Sequence, residues 1–232
     1  MKTIGLLGGM SWESTAVYYR LLNEGVKAEL GGLHSASILM HSVDFAPIAD
    51  LQHAGKWEEA GTLLAAAAGR LERAGADMML IGTNTMHLVA PQVSAAISVP
   101  LLHIADATAQ TIKAQGMQRV GLLATRFTME KDFYKGHLHD HHGIETIVPD
   151  ANDRETVNRV IYEELCLGDL RETSRQAYIR IIDKLVAEGA ECIILGCTEI
   201  GLLINESHTN TPLLDTTRIH AQAAVALATA AD

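Results

Sequence analysis

Gly189-Ala-Glu-Cys-Ile-Ile-Leu-Gly-Cys197 repeats, in character and in order, an earlier stretch of the same chain, Gly75-Ala-Asp-Met-Met-Leu-Ile-Gly-Thr83. Each is a glycine-led turn, a short apolar run of strand length and a second glycine before a polar residue. Two more pairs keep the same order. Ile4-Gly-Leu-Leu-Gly-Gly9 matches Val120-Gly-Leu-Leu-Ala-Thr125, and Val99-Pro-Leu-Leu-His103 matches Thr211-Pro-Leu-Leu-Asp215. The offsets are 114, 116 and 112 residues. The βα units of any open sheet look alike, so one such pair would be weak; three in one order at nearly one spacing are hard to reach by chance. The chain therefore reads as two homologous halves related by a pseudo-twofold axis. The first spans 1–105 and the second 106–210, with the last strand and helix, in 211–232, returning to the first.

Working outward, apolar runs alternate with segments of helical period, the pattern of an α/β protein with parallel sheets. Strands are expected near Thr3–Leu7, Ala36–His41, Met78–Ile81, Leu101–His103, Val120–Ala124, Thr146–Val148, Cys192–Leu195 and Leu213–Asp215. Helices are expected over Ser14–Glu29, Lys56–Ala74, Asp106–Ala114, Asp153–Leu167, Glu172–Glu188 and Thr217–Ala230.

The 232 residues suffice for one large domain or two small ones, and the 48% apolar content is that of a globular protein. A net charge of −10 argues against nucleic acid or an anionic membrane as partner, but not against a small anionic substrate. Cys166, Cys192 and Cys197 are too few and too irregularly placed for a secreted disulfide framework. The apolar start runs straight into Gly8-Gly-Met-Ser-Trp-Glu13 and fits a buried strand better than a signal peptide. No apolar run is long enough for a membrane span, so a cytoplasmic setting with reduced thiols is expected.

In open parallel sheets ligands bind beyond the carboxyl ends of the strands. The repeat then predicts that Thr83 and Cys197 hold equivalent places on opposite walls of one cleft. Cys197 follows a strand and a glycine where a helix could begin with Thr198 and Glu199. A helix N-terminus there would lower the thiol pKa and favour a thiolate base or nucleophile. Thr83 is a far poorer base, since a hydroxyl ionises far above neutral pH, but it could hand over a proton or orient a water. Asn84 and Thr85 offer an amide and a hydroxyl beside free backbone N–H groups, a cradle for a carboxylate. The Gly8-Gly9-Met10-Ser11 turn permits close backbone approach, and Thr125 offers a hydroxyl from the matching loop. Neither dinucleotide nor P-loop spacing is present. Cys192, inside its strand, reads as a small buried hydrophobe, and Cys166 as helix-end packing. His137-Leu-His-Asp-His-His142 has the residues of a metal patch but reads as a solvated surface turn.

Gly8-Gly-Met10, Thr83-Asn-Thr-Met-His87 and Gly196-Cys-Thr-Glu-Ile200 together resemble the aspartate/glutamate racemase family. The resemblance implies two Rossmann-like halves, no pyridoxal phosphate, no metal and a homodimer. It also implies two cysteines, one per half, exchanging protons with opposite faces of an amino-acid Cα. The usual first motif is Cys-Asn-Thr, whereas this chain has Thr83 there and retains Cys197. The expected activity is racemisation of acidic amino acids favouring the L-enantiomer, with Met10, Gln52, Asn84, Thr85, Thr125, Thr198 and Glu199 about the substrate. Aspartate-specific relatives carry basic residues in two neighbourhoods that read Ala46–Gln52 and Glu163–Cys166 here, with none. That keeps a broad-specificity racemase open, beside a single-cysteine arylmalonate-type decarboxylase and a two-lobed binding protein without catalysis.

Overall fold

The computed structural model describes residues 1–230 and divides into two compact units, Met1–Ile104 together with the stretch from Thr217 onward, and Ala105–Thr216. Each is α/β with a wholly parallel sheet. The first contains β1 (Ile4–Gly8), α1 (Trp12–Leu30), β2 (Ile38–Ser42), α2 (Phe45–His53), α3 (Trp57–Arg73), β3 (Met78–Ile81) and α4 (Ala90–Ala95). The second runs α5 (Ile104–Ala114), β4 (Arg119–Ala124), α6 (Arg126–Glu130), α7 (Asp132–His142), β5 (Glu145–Ile147), α8 (Ala151–Glu163), α9 (Glu172–Ala187), β6 (Cys192–Gly196), α10 (Ile200–Leu203) and β7 (Leu213–Asp215). The last helix, α11 (Thr216–Thr229), belongs to the first unit from Thr217. No helix among the described residues is long and apolar enough to cross a membrane.

The first sheet has the order β2-β1-β3. Strand periodicity sends Ile4, Leu6, Met78 and Leu80 to one face, where they meet Tyr18, Leu22 and Val26 of α1 and Ala221, Ala224 and Val225 of α11. Leu7, Met79 and Ile81 go to the other face, against Leu64, Ala67, Ala68 and Leu71 of α3. With both faces covered, β1 and β3 read as unbroken apolar runs. Gly25 lets α1 approach α11 closely, since a Cβ there would come 2.8 Å from a Val225 methyl. The strand expected at Leu101–His103 is a single bridge, Met79 to Leu101, because the Leu102 carbonyl and the Ile104 N–H that would carry the ladder on are bonded to His220 and His87 instead.

The second sheet has the order β5-β4-β6-β7. Val120 pairs with Cys192, Ala124 with Gly196, and Ile193 with Leu213. The last strand thus stays in the second sheet, a correction to the expectation that it returns with the helix. Two further differences have local causes. The His137–His142 stretch, expected as a surface turn, is the end of α7; Tyr134 and Leu138 anchor it in the core and Gly143 stops it at φ +68°. The helix expected to reach Leu167 ends at Glu163, because Glu164 turns its buried carboxylate to Ser174 and Arg159 instead.

Candidate active site

In the first unit, β1 ends in a turn that only glycine can make: Gly9 has φ +90°, and a Cβ there would fall on the Val43 backbone. The Gly9 N–H donates to Thr15 Oγ1 at 2.7 Å, and Met10 is buried in the core beside Leu7. At the end of β3 the Gly82 N–H reaches the Leu7 carbonyl at 2.8 Å, which leaves Thr83 half-buried just beyond the sheet. Asn84 and Thr85 are buried, and a 3-10 turn runs over Thr85–Val89 rather than a full helix.

His87 fixes this loop. Its Nδ1–H donates to the Thr83 carbonyl at 2.8 Å, while Nε2 accepts the Ile104 N–H at 3.2 Å, which sets one tautomer. Burial, reinforced by His103 and His220, holds its pKa well below the usual imidazole range, so the ring is neutral. His220 is held similarly, donating through Nε2 to Leu102 O and accepting the Tyr18 hydroxyl at Nδ1, both at 2.9 Å. Burial pulls its pKa down to about 4. Gln52 is buried and gives one N–H of its amide to Met86 Sδ at 2.9 Å, which supports the Thr85–Val89 turn. A groove of about 600 Å³ between α3 and α4, with Thr62, Arg70, Arg73 and Gln92 in its walls, contains none of these residues.

In the second unit, Cys197 follows Gly196 at the end of β6, with Thr198 and Glu199 half-buried beside it. The thiol donates to Glu199 Oε2 at 3.0 Å. Burial of the sulfur, then the Glu199 carboxylate, raise the Cys197 pKa well above that of a free thiol. This reverses the expectation of a lowered pKa. The helix that would have lowered it is one four-residue turn, Ile200–Leu203, with few aligned peptide dipoles. Thr125 is buried at the end of β4 with its hydroxyl 3.2 Å from that of Thr128.

Two tyrosines escaped the sequence reading. Tyr178 is fully buried and donates to the Val157 carbonyl at 3.1 Å. The pKa of Tyr162 is pushed up to about 12 by burial and then by the negative charge Cys197 would carry. That sulfur also works against ionisation of Tyr178, after burial, so both rings stand close enough to feel it. In the sequence they look like any aromatic of a helix face. Cys192 is buried within β6, as expected, whereas Cys166 is exposed rather than packed.

Within its own sheet, each of Thr83 and Cys197 follows a glycine at the carboxyl end of the strand paired with the first strand of that sheet, β3 with β1 and β6 with β4. A parallel α/β fold with chemistry gathered at that end defines a class in which the site lies on strand-end loops. The family pattern of Asp/Glu/hydantoin racemases matches residues 7–224, and the chain belongs to that family. Among solved structures it is similar to a candidate Asp/Glu racemase from Yersinia pestis, with 58% identity, a TM-score of 0.94, and coverage of 98% of this chain and 99% of that one. It is also similar to an aspartate racemase homologue from Pyrococcus horikoshii, at 35% identity and TM-score 0.86 over 99% and 100% of the two chains. The broad specificity amino-acid racemase RacX of Bacillus subtilis is 26% identical over 67% of this chain and 66% of its own length.

Proposed function

We propose that this chain is a cofactor-independent racemase of acidic amino acids, working mainly from the L-enantiomer, with Cys197 as base at Cα and Thr83 serving the opposite face. The observation that carries it is the Cys197 thiol donating to Glu199 at the end of β6. A thiol with a raised pKa is seldom ionised, so it acts as a base at Cα only with a partner that takes its proton first. Glu199 is placed to take the thiol proton before Cys197 accepts another from carbon. Asn84, Thr85, Thr125 and Thr198 supply the dipoles for the substrate carboxylate, whose charge grows as the proton leaves. Met10 supplies an apolar wall. Thr83 has no comparable acidity and delivers a proton directly or through water, which makes inversion slow in both directions and leaves hydrogen exchange at Cα faster in the L-enantiomer than in the D-enantiomer.

Solvent deuterium should enter Cα of L-glutamate with the unaltered chain, and Cys197→Ala and Cys197→Ser should each lower the rate by about 10²–10⁴-fold. Exchange that survives both substitutions would place the base elsewhere. A second reading, broad specificity, has its own support: Ala46–Gln52 and Glu163–Cys166 hold no basic residue, and one N–H of the Gln52 amide is already committed to Met86. Comparable initial rates on L-methionine and L-glutamate would favour it; a strong preference for L-aspartate or L-glutamate would favour the first.

A further inference from the structure

Inside the second unit, two imidazoles from α7 converge on one carboxylate oxygen of α5. His137 Nε2 lies 2.6 Å and His142 Nε2 2.7 Å from Asp106 Oδ1. Without an ion both nitrogens must carry hydrogen and donate to the same atom. The neighbour of His142 agrees with that tautomer, since Lys113 Nζ lies 3.5 Å from its Nδ1 and can donate to it. The side chains of His137, His142 and Asp106 are 20%, 17% and 38% exposed, open enough to admit an ion and covered enough to fix the rings. None of these residues has a part in the proposed racemisation.

We infer that Asp106, His137 and His142 form a binding site for a divalent transition metal of the zinc class. Two imidazoles and a carboxylate suit zinc, nickel or cobalt and poorly suit magnesium or calcium. Zinc bonds of about 2.0–2.2 Å in tetrahedral geometry need ligand atoms roughly 3.3 Å apart. The two oxygen-to-nitrogen spacings, 2.6 and 2.7 Å, reach that by a small outward movement of partly exposed side chains. The ion takes the place of the two Nε2 hydrogens, both rings shift their hydrogen to Nδ1, and the exposed Lys113 chain turns into water. Solvent completes the coordination. The ion then pins the last turn of α7 to the first turn of α5, where the chain has just entered the second unit. The role is that of a clamp, separate from proton transfer.

The test is titration of the tag-free full chain with zinc against a chromophoric chelator, read together with thermal unfolding. One equivalent should bind and raise the unfolding midpoint, and magnesium should do neither. His137→Ala, His142→Ala and Asp106→Asn should each weaken binding by at least about tenfold, since even outer-shell partners cost that much. Lys113→Ala should leave binding intact or tighter. A chain with Cys166→Ser and Cys197→Ser should bind as the parent does. Loss of binding in that chain would assign the ion to the thiols and overturn the inference. So would an affinity unchanged by the three ligand substitutions but abolished by His139→Ala with His141→Ala, or no binding at all.

Discussion

Thr83 and Cys197 stand at matching positions of two similar sheets, and their surroundings have diverged. Around Thr83 the loop is held by a neutral imidazole: His87 grips the Thr83 carbonyl and the Ile104 amide. Near Cys197 the partner is a carboxylate, Glu199, bonded to the sulfur itself. One loop is built to hold a backbone in place, the other to manage a proton. The two sheets share the pairing of β1 with β3 and of β4 with β6, while the groups around the two loops differ. A repeat in sequence is therefore evidence for shared geometry and says much less about shared acidity.

That contrast can be broken most forcefully at Thr83. Thr83→Cys should restore an ionisable group to the first loop and raise the entry of solvent deuterium into Cα of the D-enantiomer by about 10²–10⁴-fold, with a much smaller gain in exchange from L. Proton magnetic resonance of the two exchange reactions run separately would measure it, and equal gains in exchange from both sides would end the assignment of faces.

Acid should separate the two units next. His220 stays neutral in the folded chain down to about pH 4, whereas an unfolded histidine protonates near 6.5. Its contribution is whole above pH 6.5 and is lost as pH falls from 6.5 to 4, about 3 kcal/mol in all. His87 acts in the same direction. In the second unit the hydrogen bond from Arg180, helped by Lys184 and opposed by burial, lowers the Asp153 pKa. That contribution is present above the ordinary carboxylate range and disappears only below it. Hydrogen exchange at pH 5 should show the first unit losing protection while the second keeps it; simultaneous loss would contradict the pKa directions.

The smallest expected change sharpens the description of Cys197. Glu199→Gln removes an anion that holds the thiol proton, so the Cys197 pKa should fall. For each pH unit of movement, its alkylation by iodoacetamide at neutral pH should quicken by about tenfold, followed on the Cys197 peptide by mass spectrometry. Deuterium exchange at Cα should slow at the same time, because the carboxylate that takes the thiol proton is gone. Slower alkylation would mean that Glu199 assists ionisation instead.

Most of the fold was legible because strands covered on both faces leave continuous apolar runs, as at Leu122–Leu123 and Ile193–Leu195. What was not legible depended on partners distant in sequence. Whether Leu213–Asp215 joins one sheet or the other is decided by β6, not by its own residues. α2 starts at Asp44, whose carboxylate accepts the Ala46 N–H, a cap that passed unnoticed before Pro47. The positions of Thr83 and Cys197 followed from spacing alone. The acidity of Cys197 did not, because it turns on the rotamer that brings Glu199 back to the sulfur, and on burial of the sulfur, which no motif encodes.

The helix α11 comes last in the chain yet covers Ile4, Leu6 and Leu80, which are made early. During synthesis the second unit, continuous from Ala105 to Thr216, has all its pieces before the first does. A nascent chain must therefore carry one greasy side of its opening sheet uncovered until Ala221, Ala224 and Val225 leave the ribosome, an interval in which a chaperone or a wrong neighbour competes for the same surface.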